Sequence, residues 1–216
     1  MSLIRTDIFS KEHIEKIYDT INKEFATREQ IDWYDSKTGH EYPRNKKFIA
    51  IKKELLSRLD IDKFTLPYEI LCVAKDCAIN ICQGLGVEVE GITGVTYVEY
   101  NPKYSDGGNP YLNPHKDHPG ASDFVLDYQL ESNIDWPIAI NKDVYSLSDN
   151  SAIGIITTKN YHWRPQINWN DGEYVKMIFF HIALKNRNIE DCSYTAEEIW
   201  EFAEQYKYNG GKNETR

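Results

Sequence analysis

The sequence has no cysteine pair at metal-finger spacing, no basic excess, no long apolar run and no internal repeat. Each absence removes a class of protein. Its four cysteines include no Cys-x-x-Cys, and Cys72, Cys77 and Cys82 recur every five residues. On a helix a step of five turns ~500°, so these three fan round the axis and cannot share a metal. With Cys192 they are expected to be reduced, buried thiols of a cytosolic protein. Lys and Arg number 25 against 34 Asp and Glu, for a net charge of -9. Gripping a phosphate backbone relies on Lys and Arg, so nucleic acid is not an expected partner. No stretch approaches the ~18 apolar residues of a membrane span. The first residues hold no apolar core of a secretory signal. A cytoplasmic protein without a membrane partner is therefore expected.

What remains is ordinary for a globular chain: 41% hydrophobic and 27% charged residues. The 216 residues suffice for one domain with a sizeable core. The 15 Tyr and 5 Trp are expected mainly in the core and on sheets.

The chain divides into a helical front (1–90), a strand-rich centre (91–185) and a helical tail (194–208). Ser10 can cap a helix in which Ile14, Ile17, Ile21 and Phe25 recur at spacings of three and four. Residues 27–48 are polar and aromatic and predict an irregular surface segment, with a short helix possible near 49–58. A second helix is predicted from Pro67 to Ile81. Its stripe is Ile70, Leu71, Ala74, Cys77, Ala78 and Ile81, and Gln83-Gly84-Leu85-Gly86 stops it. From residue 91 the texture turns to strands: 95–100, 123–130, 137–141, 151–157 and 174–184. A Pro/Gly-rich loop fills 101–114. Thr195-x-x-Glu198 is a capping box ahead of a closing helix. Helices before many short strands predict an α+β fold: a jelly roll of two antiparallel sheets with helices on one outer face.

Chemistry gathers in Asn113-Pro114-His115-Lys116-Asp117. On a strand, residues i and i+2 share a face, so imidazole and carboxylate converge. Alone the tripeptide is a common chance pattern, and its bland alternative is a surface His near a surface Asp. Past three predicted strands comes Tyr161-His162-Trp163-Arg164-Pro165. Two His and one carboxylate can hold non-haem Fe(II) with positions left open for a co-substrate and O2, which a site closed by four protein ligands could not offer. His181 competes with His162 for the third place. His162 is preferred because a cation follows it at better spacing. His118 lies off the shared face and is expected at the pocket edge or surface.

The stretch 95–184 resembles the core of the Fe(II)/2-oxoglutarate-dependent oxygenases, most closely the small prolyl-4-hydroxylase-like microbial and phage-type members. The resemblance is carried by a strand ending in Tyr100, a turn-rich loop, His115-x-Asp117, the distal His162-Trp163-Arg164, and the strand with Phe179-Phe180-His181. It implies a double-stranded β-helix, His115, Asp117 and His162 as metal ligands and catalytic centre, and 2-oxoglutarate as co-substrate with O2. Such enzymes hydroxylate a peptidyl residue, amino acid or small metabolite and release succinate and CO2. The family pairs the far carboxylate of 2-oxoglutarate with a basic residue on the last core strand. Lys176 stands first for that role and Arg164 second, its planar fork suiting a carboxylate. Tyr100 matches a frequent co-substrate contact. Trp136 and Trp163 could wall the site, although core packing explains them equally. The segments 27–48 and 101–114 are the expected lids.

Three rivals stand beside this reading. A cupin-like metalloprotein would share the barrel without using 2-oxoglutarate, but cupins favour three His and a Glu. A jelly-roll interaction module would bind no metal. A zinc hydrolase could use the same three ligands.

Overall fold

The computed structural model describes residues 3–32, 47–51, 58–61, 63–104, 109–118, 122–185 and 189–206. Ser10 opens the first helix, α1 (Lys11–Thr27), by accepting a hydrogen bond from the His13 amide at 3.2 Å. That satisfies one of the amides a helix start leaves bare. Ile17 and Ile21 turn inward.

The second helix, α2 (Tyr68–Leu85), begins where the sequence predicts but runs through Gly84. It ends at Gly86, whose φ of 70° is left-handed, and the Val87 amide reaches back to the Cys82 carbonyl at 3.0 Å. That closure favours a residue without a Cβ, which decides between the two glycines. All four cysteines are free thiols. Burial pushes Cys77 and Cys82 up to about 11, while Cys72 and Cys192 are only partly buried.

Two sheets follow. The larger runs β1 (Ile4–Arg5), β10 (Ser151–Ile155), β7 (Phe124–Ser132), β12 (Val175–Leu184), β5 (Val89–Tyr100), β4 (Arg58–Ile61), β3 (Lys47–Ile51), β2 (Glu29–Asp32). The smaller runs β6 (Leu112–His115), β11 (His162–Arg164), β8 (Ile138–Ile140), β9 (Asp143–Tyr145). Neighbours are antiparallel except β2 and β3. From β5 to β12 the chain passes repeatedly between the two sheets. This is a double-stranded β-helix, and with its helices the fold is α+β.

Side-chain alternation sorts the core into layers. On β12, Ile178, Phe180, Ile182 and Leu184 pack toward α1 and α2, whereas Val175 and Met177 lie between the sheets with Val98, Tyr100 and Trp136. The third helix, α3 (Ala196–Gln205), opens with the Thr195–Glu198 capping box. It covers the outer face of the smaller sheet, setting Ile199, Phe202 and Ala203 against Ala139 and Trp163. Helices therefore flank both sheets, α1 and α2 on one and α3 on the other.

The mainly helical front needs a correction. Strands β2, β3 and β4 extend the larger sheet, and the predicted helix at 49–58 begins in a strand. Residues 33–46 and 52–57 lie outside the described residues. β4 covers the edge that the twelve-residue β5 would otherwise leave bare. In the loop expected over 101–114, Leu112–His115 is a strand. Pro114 is tolerated there because β6 is the edge of its sheet, where a missing N–H costs no ladder bond. Among the described residues no helix is long and apolar enough to cross a membrane.

One glycine fixes how closely α2 lies on the sheet. A Cβ on Gly154 would stand 2.5 Å from Phe124 Cζ and 2.8 Å from Ile81 Cγ2. Gly154→Ala is expected to cost about 1–3 kcal/mol by overpacking, seen as a lower urea midpoint with an unchanged slope.

Candidate metal centre

β6 and β11 are antiparallel neighbours, and their register sets His115 directly opposite His162. Cross-strand partners point to one side of a sheet, so the rings lie together with centroids 4.2 Å apart. Asp117 arrives differently from expectation. β6 ends at His115, so strand period does not place Asp117. Its amide instead donates to the Thr157 carbonyl at 3.0 Å, tying its loop to the end of β10. One carboxylate oxygen of Asp117 then lies 3.7 Å from Nε2 of each histidine. The three ligand atoms all fall within 4.8 Å of one another.

The histidines are oriented by backbone. His115 Nδ1 lies 2.8 Å from the Asn113 carbonyl and His162 Nδ1 3.3 Å from the Asn160 carbonyl. A carbonyl can only accept, so each Nδ1 carries the proton and each Nε2 presents its lone pair inward. Burial first, and His115 second, lower the pKa of His162 to about 4, against the pull of Asp117. His162 is thus a neutral donor at physiological pH. Its side chain is 10% exposed, against 39% for His115 and 27% for Asp117, so solvent reaches the cluster mainly past His115 and Asp117.

Deeper between the sheets lies a second polar group. Arg164 shares its strand face with His162 and is fully buried. Its Nη1 donates to the Trp136 carbonyl at 2.8 Å, and its Nη2 lies 3.0 Å from Met177 Sδ and 3.5 Å from Asp127 Oδ2. Its guanidinium sits 4.8 Å from the centre of the Trp136 ring. Tyr100 is buried with its ring edge-on to Trp136, and its hydroxyl accepts from Arg58 at 3.3 Å. Arg58 also pairs with Asp60 at 2.8 Å.

Other predicted site residues fall elsewhere. Lys176 as carboxylate anchor is corrected. Neighbours on a strand face opposite sides, so Met177 points inward and Lys176 toward α1. There Lys176 donates to Glu131 at 2.7 Å, alongside the hydroxyls of Tyr18 and Tyr174. Burial opposes the Glu131 charge, but these three donors outweigh it and hold the carboxyl at about 2. His181 shares the inward face instead, its ring nitrogens 3.1 Å from Thr96 Oγ1 and 3.0 Å from Ser122 Oγ. Trp136 faces the interior, whereas Trp163 packs against Phe202 and Tyr206 of the tail and walls no site. His118 is exposed. The lid segment 27–48 lies largely outside the described residues, as do 105–108.

Asp127 and Arg58 escaped sequence reasoning. Asp127 had a usable signal, an acid inside the apolar run Phe-Val-Leu-Asp-Tyr. Arg58 had none, since only the register of β4 on β5 brings it to Tyr100.

His181→Ala is expected to leave metal affinity within about twofold of wild type, because His181 is outside the ligand cluster and hydroxyls occupy both its nitrogens. Titration of Co(II) into both proteins checks this.

No family model matches the chain, and no curated protein matches it. Among solved structures it is similar to a prolyl-4-hydroxylase from Pseudomonas putida, with 10% identity, a TM-score of 0.49, and 82% of this chain and 90% of that one covered. It is also similar to OsALKBH1, with 11% identity, a TM-score of 0.36, and coverage of 54% and 65%. A third likeness is to a cupin 2 domain-containing protein from Halorhodospira halophila, with 11% identity, a TM-score of 0.29, and coverage of 54% and 72%. These are likenesses of chain path and do not assign chemistry to any residue.

Proposed function

We propose that the protein is an Fe(II)- and 2-oxoglutarate-dependent oxygenase that hydroxylates a peptidyl residue, an amino acid or a small metabolite. The observation behind this reading is the cluster of two imidazole nitrogens and one carboxylate at the barrel mouth. Three protein ligands on one side leave positions open, the pattern of non-haem Fe(II) centres that activate O2. The residues fit such an ion: His115 and His162 offer Nε2 donors held by backbone carbonyls, and Asp117 offers a carboxylate oxygen. When bound, Fe(II) with 2-oxoglutarate and O2 supplies the oxidising chemistry, C–H becoming C–OH as succinate and CO2 form.

The chain's own residues orient and exclude. The Asn113 and Asn160 carbonyls hold the two rings by their Nδ1 protons. Arg164, two residues from His162, supplies the planar fork for the far carboxylate of the co-substrate. The Tyr100 hydroxyl stands ready to donate to the same ligand, and Arg58 keeps it in place. Trp136, Ile138 and Ile155 line the interior with apolar surface that keeps bulk water out.

One observation favours a second reading, a cupin-like metalloprotein that does not use 2-oxoglutarate: Asp127 already stands against Arg164. Anaerobic Fe(II) reconstitution with 2-oxoglutarate separates the two. The oxygenase is expected to develop a visible metal-to-ligand charge-transfer band that His115→Ala and Asp117→Ala lose. Metal binding with no band sinks the oxygenase reading, and absence of metal binding points to an interaction module.

A further inference from the structure

Resting on that reading, we propose that Asp127 makes the inner site accept a dicarboxylate only together with a proton, which Asp127 takes up. Asp127 projects from β7 into the interior and is 6% exposed. It meets Arg164 through one oxygen at 3.5 Å, a long single contact and not a bidentate pair. The rest of that guanidinium is already engaged, with the Trp136 carbonyl, Met177 Sδ and the Trp136 ring. The internal carboxylate thus occupies the place a ligand carboxylate needs.

The surroundings of Asp127 are mixed in charge. Arg164 of β11 is in contact with it, and the charges of Arg58 on β4 and Asp117 in the loop after β6 also act on it. Tyr100 adds a neutral phenol from β5. Its partners on the adjacent strands, Ile153 and Phe179, bring no charge. Burial is the main influence holding the Asp127 carboxyl up at about 6. Arg164 opposes that rise, and Asp117 adds to it.

Charge balance then fixes the stoichiometry. Arg58 and Arg164 are matched by Asp60 and Asp127. Fe(II) against Asp117 leaves one positive charge. 2-oxoglutarate brings two negative charges, so the filled site would hold one uncompensated negative charge away from water. Buried charge without a partner is costly, and a carboxyl that can neutralise does so. In the binding step the dianion enters with one proton from solvent, the proton bonds to an Asp127 oxygen, and Arg164 exchanges an internal carboxylate for the ligand's. No carbon bond forms or breaks.

The test is calorimetric titration of 2-oxoglutarate into the anaerobic Fe(II)-loaded protein, in two buffers of different ionisation heat and from pH 6 to 8.5. Wild type is expected to take up about one proton per ligand at pH 7.5, with affinity falling up to about tenfold per pH unit above pH 7. Asp127→Asn is expected to bind with no proton uptake and a flat pH profile. Pyruvate, which lacks the second carboxylate, is expected to show no uptake in wild type. Binding by wild type without proton uptake, or uptake that persists in Asp127→Asn, overturns this inference alone. No metal-dependent binding of 2-oxoglutarate overturns the oxygenase reading and this inference with it. Should Asp127→Asn fail to fold, the wild-type proton count and the pyruvate comparison decide.

Discussion

His162→Ala is expected to lower divalent-metal affinity by well over about 100-fold, beyond what losing an outer partner of a ligand costs. His115 and Asp117 are partly exposed and would remain as a two-point site, whereas His162 is the buried donor that both face. Calorimetric titration of Co(II) at pH 7.5 measures the loss, and affinity within tenfold of wild type would sink the assignment of His162 as a ligand. The same variant has a signature in the metal-free protein. Burial sets the folded pKa of His162 at about 4, below its ordinary 6.5. The stability tied to neutral His162 is present above pH 6.5 and is lost as pH falls toward 4. For a shift of this size the loss is of the order of 3 kcal/mol. Urea unfolding of apo His162→Ala is therefore expected to lack that part of the acid sensitivity.

Arg164→Met is expected to destabilise the protein by about 3–5 kcal/mol at pH 8, because it leaves Asp127 charged and buried without its cation. The cost is expected to shrink on acidification. Asp127 has its folded pKa raised from 3.8 to about 6, so the stability it contributes is fully present below 3.8 and is lost as pH rises through about 6. Removing Arg164 moves that window further up, so at pH 5.5 Asp127 in the variant is neutral and the penalty is largely relieved. Urea midpoints at the two pH values measure it. Arg164→Met with Asp127→Leu removes both charges and should recover most of the loss. Equal penalties at both pH values would show that packing against Trp136, not charge, is what Arg164 supplies.

Long periodic segments are legible in the sequence. The stripe of α2, the Ser10 and Thr195 caps and the strands at 151–155 and 175–184 all lie where apolar spacing and cap chemistry point. His115, Asp117 and His162 were grouped by residue type and order, and the structure brings their ligand atoms together. What was not legible depends on register. Lys176 shares the helix-facing side of β12 with Ile178 and Phe180, and which side of the strand faces the barrel interior is set by how the sheets pack, not by the strand's own pattern. β9 and β11 are three residues each, too short for a period to show. β4 is only four residues, Arg-Leu-Asp-Ile, and its alternation does not say which strand it joins, so the approach of Arg58 to Tyr100 was hidden. The loop containing Asp117 is tied by the Asp117 amide donating a hydrogen bond to the Thr157 carbonyl, a contact between segments that no local pattern encodes.

The pairing of His115 with His162 across β6 and β11 has a mechanical side. Among the described residues β6 is the last strand of its sheet and pairs with β11 alone. An ion shared by the two histidines would act as a clasp at that free hem and fasten the chain at 115 to the chain at 162. It would add nothing to the interior, yet peeling β6 away would require the ion to leave first. Opening of the barrel mouth would then keep time with ion departure, and a chelator would act on this protein as a seam ripper before it acted as an inhibitor.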